Sequence, residues 1–178
     1  MASQLEDRPR PEHRLPDEEL TIEGSHIMFK KILVPVDGSP TSRKGLREAL
    51  RLARHCKARL RLLHVVDVFI VTPTFEAGPY LDDILKSFRA AGRRILKNAE
   101  TLERRQGVRT DSVIFESLGG PAAEIIVAHA KKWHADIIVA GTHGRRGINR
   151  LVMGSDAEQT VRTSPVPVLL VRSKKSAR

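Results

Sequence analysis

The chain has 178 residues, enough for one ordinary domain with its own core and too few for two. Its 31 Lys and Arg against 21 Asp and Glu give a net charge of +10, and its one cysteine, Cys56, excludes an internal disulfide framework. No apolar run reaches the length of a membrane-spanning helix and no secretory signal is visible, so a reducing, cytoplasmic setting is expected.

Residues 1–28 hold seven acidic and three basic residues together with Pro9, Pro11 and Pro16 and almost no apolar periodicity, the composition of a disordered tail. Their net −4 leaves +14 on residues 29–178. Gly24-Ser25-His26 just before Met28 has the look of a vector remnant, so an expression tag and a native acidic arm both fit the stretch. The folded part is expected over 29–172, followed by a basic tail over 173–178.

Lys31-Ile-Leu-Val-Pro-Val36 is an apolar run of strand length that passes through Asp37-Gly38-Ser39-Pro40 into a helix predicted over Pro40 to His55, where Ser39 can cap and Pro40 suits the first turn. Leu46, Ala49, Leu50 and Ala53 share one face of that helix. Leu60 to Val66 is a second strand whose near-continuous apolar character suits a sheet covered on both sides, and His64 within it reads as a packed histidine. After an irregular stretch from Asp67 to Pro79, a long helix is predicted from Tyr80 to Gln106, with Leu81, Leu85, Phe88, Ile95, Ala99 and Leu102 at helical spacing. Val108 to Glu116 is a more polar, edge-like third strand. Gly119-Gly120-Pro121 opens a helix to about His134 whose inner face is read as Ile125, Ile126, His129 and Trp133.

Asp136 to Ala140 is a fourth, buried strand, and it leads into Gly141-Thr-His-Gly144, then Arg145 to Met153, then Gly154-Ser155. Ser155 with Glu158 three residues on forms a capping-box pattern, which predicts a helix over Ser155 to Thr163. Free backbone N–H groups and the helix dipole there would favour an anion, so the stretch reads as a phosphate site with lips at Gly141/Gly144 and Gly154/Ser155. Glycines also end strands and cap helices for structural reasons alone, and the spacing matches neither a Walker A loop nor a dinucleotide fingerprint. Pro165 to Val171 closes the series as a strand whose two prolines place it at a sheet edge.

The order β-α-β-α-β-α-β-α-β predicts an α/β fold with a parallel sheet, helices on both faces and right-handed crossovers. Strand order 3-2-1-4-5 would set the topological switch point between strands one and four, with Asp37 at the end of one and Gly141 at the end of the other. A carboxylate able to take ribose hydroxyls would then face a loop able to take phosphates, which is the outline of a nucleotide site.

Lys31-Ile-Leu-Val-Pro-Val-Asp37-Gly-Ser, Leu63-His-Val-Val66, and Gly141-x-x-Gly144-x9-Gly154-Ser155 closing on Pro165-Val-Pro-Val-Leu-Leu-Val171 together resemble a universal stress protein domain of the ATP-binding branch. The resemblance runs from Met28 to Arg172. It implies a Rossmann-like fold of the adenine nucleotide alpha hydrolase type and ATP as ligand, with Mg²⁺ expected beside it. By it, Asp37 would meet the ribose, Val65 and Ala140 the adenine, and Gly141, Gly144, Gly154 and Ser155 the phosphates. Pro35, Val36, Arg145 and Asp156 are assigned to the same cofactor site. Asp156 competes with phosphate for the helix dipole unless it points away or holds the metal, and Arg145, Arg146 and Arg150 are placed to offset it.

The function implied is a stress-linked regulator or sensor. Fast catalysis is not expected, because no nucleophile–base pair and no Walker A lysine is present, and His143 and Asp37 are the sole acid–base groups near the expected phosphates. Slow ATP hydrolysis is the most that is expected. Two other readings stand beside this one. The +14 charge suits a nucleic-acid-associated protein, although the basic residues are dispersed over several helices and aromatics to stack bases are few. The other is a ligand-free scaffold used for protein contacts. The uncharged last strand and the family resemblance both point to a homodimer.

Overall fold

The structure, a computed structural model, describes residues 29–68, 81–104, 107–117, 119–144 and 153–172. In chain order the elements are β1 (Lys31–Pro35), α1 (Pro40–Cys56), β2 (Arg59–Asp67), α2 (Leu81–Arg104), β3 (Thr110–Ser117), α3 (Ala122–Trp133), β4 (Ile137–Gly141), α4 (Ser155–Thr163) and β5 (Val168–Val171). The expected tails, the segment between β2 and α2, and Arg145, Arg146 and Arg150 lie outside the described residues.

The five strands form one parallel sheet in the order β3-β2-β1-β4-β5, as the alternation of elements predicts. A parallel sheet needs cover on both faces, and the alternating side chains of the central strands divide accordingly. Ile32, Val34, Leu60, Leu62, Ile137 and Val139 share a core with Leu46, Ala49, Leu50 and Ala53 of α1 and with Leu96 and Ala99 of α2. Leu33, Leu63, Ile138 and Ala140 face the other way, onto Ile126 and Ala130 of α3. The three residues Ile32, Leu33 and Val34 are all fully buried, which explains why the first strand reads as an unbroken apolar run.

Local chemistry sets the helix ends. Ser39 caps α1 by accepting the Ser42 N–H at 3.1 Å, with Pro40 in the first turn. At the other end Lys57 takes the left-handed conformation at φ 53° and returns its N–H to Ala53 and Arg54, and His134 does the same after α3 at φ 54°.

Three readings of the helix faces and ends need correction. On α2, Phe88 is 37% exposed, and Leu96 with Gly92 takes the buried positions near it. On α3 the buried residues are Ala123, Ile126, Val127 and Ala130, whereas Ile125, His129 and Trp133 lie on the flank. Of the predicted face Ile126 is buried in the core and Trp133 packs partly against it, and since one residue along a helix is a rotation of roughly 100°, the rest of the buried face is shifted onto Ala123, Val127 and Ala130. On α4 the N-cap is Gly154, not Ser155, with no side-chain capping bond, and the Glu158 N–H donates to the Gly154 carbonyl at 3.0 Å. The last strand begins only after Pro165 and Pro167, and it does form a sheet edge beside β4.

Candidate functional site at the switch point

Between β1 and β4 the connections part in opposite directions, since β1 continues toward β2 and β4 toward β5, and a crevice opens beyond their carboxyl ends. Its first wall is the turn from β1 into α1. Asp37 donates its N–H to Ser42 Oγ at 3.2 Å, and its Oδ1 accepts the Ser39 N–H at 2.9 Å. Gly38 takes φ +81°, a conformation that a side chain would strain. Behind the turn, the Val36 N–H donates to the Leu63 carbonyl at 2.8 Å, and the Val36 carbonyl lies 2.6 Å from His64 Nδ1. His64 is thus the packed histidine expected, 2% exposed, and it anchors the backbone one residue ahead of Asp37.

The second wall is the loop after β4. The Thr142 N–H donates to the Val171 carbonyl at 3.0 Å, and the Thr142 carbonyl accepts the Gly154 N–H at 2.9 Å, which ties the loop to the start of α4. Thr142 Oγ1 and His143 Nδ1 are 2.9 Å apart. The two walls are joined by the His143 carbonyl, which accepts a short hydrogen bond from Thr41 Oγ1 and a long one, 3.5 Å, from Ser39 Oγ. Sequence reasoning assigned no part to Thr41, Ser42 or Thr142. The run Ser39-Pro-Thr-Ser42 was the available signal, three hydroxyl residues where a helix begins at the carboxyl end of the central strand.

Each glycine has its own reason. A Cβ on Gly144 would stand 3.0 Å from Asp37 Oδ2 and near nothing else among the described residues, so this glycine faces the carboxylate across the crevice. One on Gly154 would lie 3.4 Å from the Thr142 carbonyl oxygen and 3.5 Å from His143 Cα, so Gly154 lets the helix start lie against the loop. Gly141 is different. Its Cβ would come within 2.8 Å of the Thr41 carbonyl carbon and 2.9 Å of the Ser42 nitrogen, while a Cβ on Gly45 would approach the Gly141 nitrogen at 3.3 Å. Gly141 and Gly45 are what let α1 sit close on β4, and that packing accounts for Gly141 whether or not a ligand is bound.

Of the expected site residues, Asp37, Gly144, Gly154 and Ser155 come together around the crevice, and Gly141 lies at its base. Asp156 is exposed in the first turn of α4, whose N–H groups have no partner within the helix. Ala140, 7% exposed, is the residue of β4 before Gly141, and Val65 is half-buried near the end of β2. Pro35 is half-buried and Val36 is 5% exposed, both directly ahead of Asp37. Arg145 falls outside the described residues. A separate cavity of about 170 Å³ between α1 and α2 touches Val36, Gly38 and Ser42 and is otherwise lined by Arg43, Leu46, Ile95, Asn98 and Ala99. Its lining includes none of the described residues of the glycine loop. Among the described residues there is no cluster of three metal-ligating side chains, and no helix is long and apolar enough to cross a membrane.

Residues 28–172 match the sequence model of the universal stress protein family. The chain is 33% identical over 156 residues to universal stress protein MJ0531 of Methanocaldococcus jannaschii, covering 86% of this chain and 88% of the relative. It is 34% identical over 151 residues to universal stress protein YxiE of Bacillus subtilis, covering 82% and 100%. A solved universal stress protein family structure from Burkholderia pseudomallei superimposes with a TM-score of 0.66 at 34% identity, covering 84% of this chain and 99% of that one. Two more distant structures share the fold and were solved with nucleotides. The Archaeoglobus fulgidus universal stress protein in complex with dAMP has a TM-score of 0.57 at 22% identity, covering 82% and 99%. An Arabidopsis thaliana family protein with AMP bound has 0.59 at 20%, covering 82% and 93%.

Proposed function

Since the chain belongs to the universal stress protein family, we propose that the crevice between β1 and β4 binds ATP and that the protein is a cytoplasmic, stress-linked regulator or sensor. The observation that carries this reading is the pairing of Asp37 with Gly144 across the crevice, where a Cβ on the glycine would stand 3.0 Å from the carboxylate. A carboxylate accepts hydrogen bonds from a ribose diol, and a glycine loop beside a helix N-terminus donates N–H groups to phosphates. In this reading Asp37 takes the ribose, Gly144 and the first turn of α4 take the phosphates, and Ala140 and Val65 border the adenine. The nucleotides held by the dAMP and AMP complexes of the same fold support an adenine nucleotide as the ligand class.

ATP requires more anion capacity than a monophosphate. The first-turn N–H groups of α4 supply it beyond Gly154, whose own N–H is taken by Thr142. Mg²⁺ would ride chiefly on the phosphates, with exposed Asp156 as the protein carboxylate best positioned in sequence to join them. The last strand supports a homodimer in the same reading, because β5 is an uncharged edge on which Leu169 is 41% exposed.

Titration calorimetry with ATP, run beside DNA binding at two salt concentrations, tests the proposal. The expected result is saturation at one ATP per chain and weak, salt-sensitive binding to DNA. Tight DNA binding with no heat from ATP would overturn it in favour of a nucleic-acid-associated protein.

A further inference from the structure

At the opposite end of the sheet from the crevice, cations dispersed in sequence converge. Lys31 is the register partner of Arg59, and Leu60 pairs with Thr110, so Arg59 stands opposite Arg109, the residue just before β3, and a row of positive charge runs across the starts of three adjacent strands. Arg61, two residues along β2, extends the row on the same face. Like charges directly opposite on neighbouring strands destabilise a sheet, so the isolated domain gains nothing from this arrangement.

Two members of the row are already engaged. Arg61 donates to both oxygens of Asp111, from Nε at 3.0 and 3.1 Å and also from Nη2, and its guanidinium lies 4.5 Å from the centre of the Trp133 ring. Lys31 Nζ donates to the Trp133 carbonyl at 3.1 Å. Asp136, the carboxylate nearest the start of β1, accepts the backbone N–H groups of Lys30 and Lys31 at 2.7 and 2.8 Å. Arg59 and Arg109 differ: both are exposed, and among the described residues neither guanidinium has a hydrogen-bond or ion-pair partner. Between them lies a recess of about 280 Å³ lined by Arg59, Arg109, Thr110 and Asp111.

We propose that this recess between Arg59 and Arg109 is a second anion site, for a small ligand carrying a diphosphate-type oxyanion. Each guanidinium is a planar fork of donors that matches phosphate oxygens two at a time, so two unpaired forks facing one recess match two phosphoryl groups. Asp111, the one carboxylate in the lining among the described residues, does not oppose an anion, because both of its oxygens are held by Arg61. The recess is too small for a nucleic-acid duplex. The site does not depend on the crevice reading, since the two lie at opposite ends of the strands.

Inorganic pyrophosphate added to the full chain, followed by calorimetry and amide NMR, tests the site. Saturable binding should shift the amides of Arg59, Leu60, Thr110 and Asp111, and the double variant Arg59→Gln/Arg109→Gln should weaken it by about tenfold or more. In that variant ATP binding at the crevice, read from the Gly144 and Ser155 amides, should not change and the melting temperature should not fall, because both side chains are exposed and relieving their repulsion removes no contact among the described residues. The proposal is overturned if the shifts are confined to Thr142, His143, Gly144 and Ser155, if the double variant binds pyrophosphate as the parent does, or if binding does not saturate. A short DNA duplex that shifts the Arg59 and Arg109 region where pyrophosphate does not would overturn it too, in favour of a larger polyanion surface.

Discussion

Asp37 and Gly144 meet across the switch point of the sheet. The Oδ1 atom of the carboxylate accepts the Ser39 N–H at 2.9 Å, and Oδ2 lies 3.0 Å from where a Cβ on Gly144 would be. The carboxylate is therefore held from the α1 side and presented toward the loop after β4. Neither Gly144 nor Gly154 has a positive φ, so side chains can be added at both without backbone strain.

Gly144→Val and Gly154→Val should accordingly remain folded by circular dichroism and weaken ATP. Loss of one charge-assisted hydrogen bond, roughly 1.5–3 kcal/mol, corresponds to about tenfold or more in affinity at each site. Calorimetry on the two folded variants decides the matter. Parental affinity in both would remove the crevice as the nucleotide site.

Gly141→Ala should act on stability instead. The added carbon would come within 2.8 Å of the Thr41 carbonyl carbon and 2.9 Å of the Ser42 nitrogen, both backbone atoms of α1 that cannot rotate away. Overpacking of this kind costs about 1–3 kcal/mol. Urea unfolding of Gly141→Ala beside Gly144→Ala, which should be close to neutral, measures the contrast. Equal midpoints would mean that α1 moves away from β4 more readily than close packing allows.

His129 should make stability depend on pH. Burial, the nearby Arg61 and then Lys132 lower its pKa from the ordinary 6.5, while Asp111 raises it, and its Nε2 is buried without a hydrogen-bond partner among the described residues. The folded state thus holds the ring neutral where the unfolded chain takes up a proton. This contribution is fully present above about pH 6.5 and declines as pH falls below it toward the lower folded pKa. His129→Leu should flatten the fall in denaturation midpoint on the acid side of neutrality; the same slope in parent and variant would assign it to other groups.

The β5 edge gives the fourth prediction. Light scattering at tens of micromolar, a range where specific interfaces of standard size are saturated, should return about twice the chain mass. Leu169→Lys should shift the protein to monomer, because its side chain is 41% exposed at the unpaired edge and a charge there would be buried by a partner. A parent that scatters as a monomer would count against the dimer.

The fold was largely legible from the chain alone because its signals are local. Apolar runs such as Lys31 to Val36 mark strands buried on both faces, Ser39-Pro40 starts a helix by its own chemistry, and the alternation of strands and helices leaves few parallel topologies. The same logic locates the switch point, and with it Asp37 and the glycine loop, before any coordinates are known. What only the tertiary structure decided depends on distances between segments remote in sequence. Gly141 is a glycine because Thr41 and Ser42 lie against it, Gly154 caps α4 while its N–H is drawn to Thr142, and α3 buries Ala123, Ile126, Val127 and Ala130 where Ile125 and His129 were the expected inner face. Lys31, Arg59 and Arg109 look scattered along the chain, and the parallel register of β1, β2 and β3 sets them side by side. Periodicity reports which face of an element is buried; it carries no information about which other segment buries it, and close packing is what supplies that.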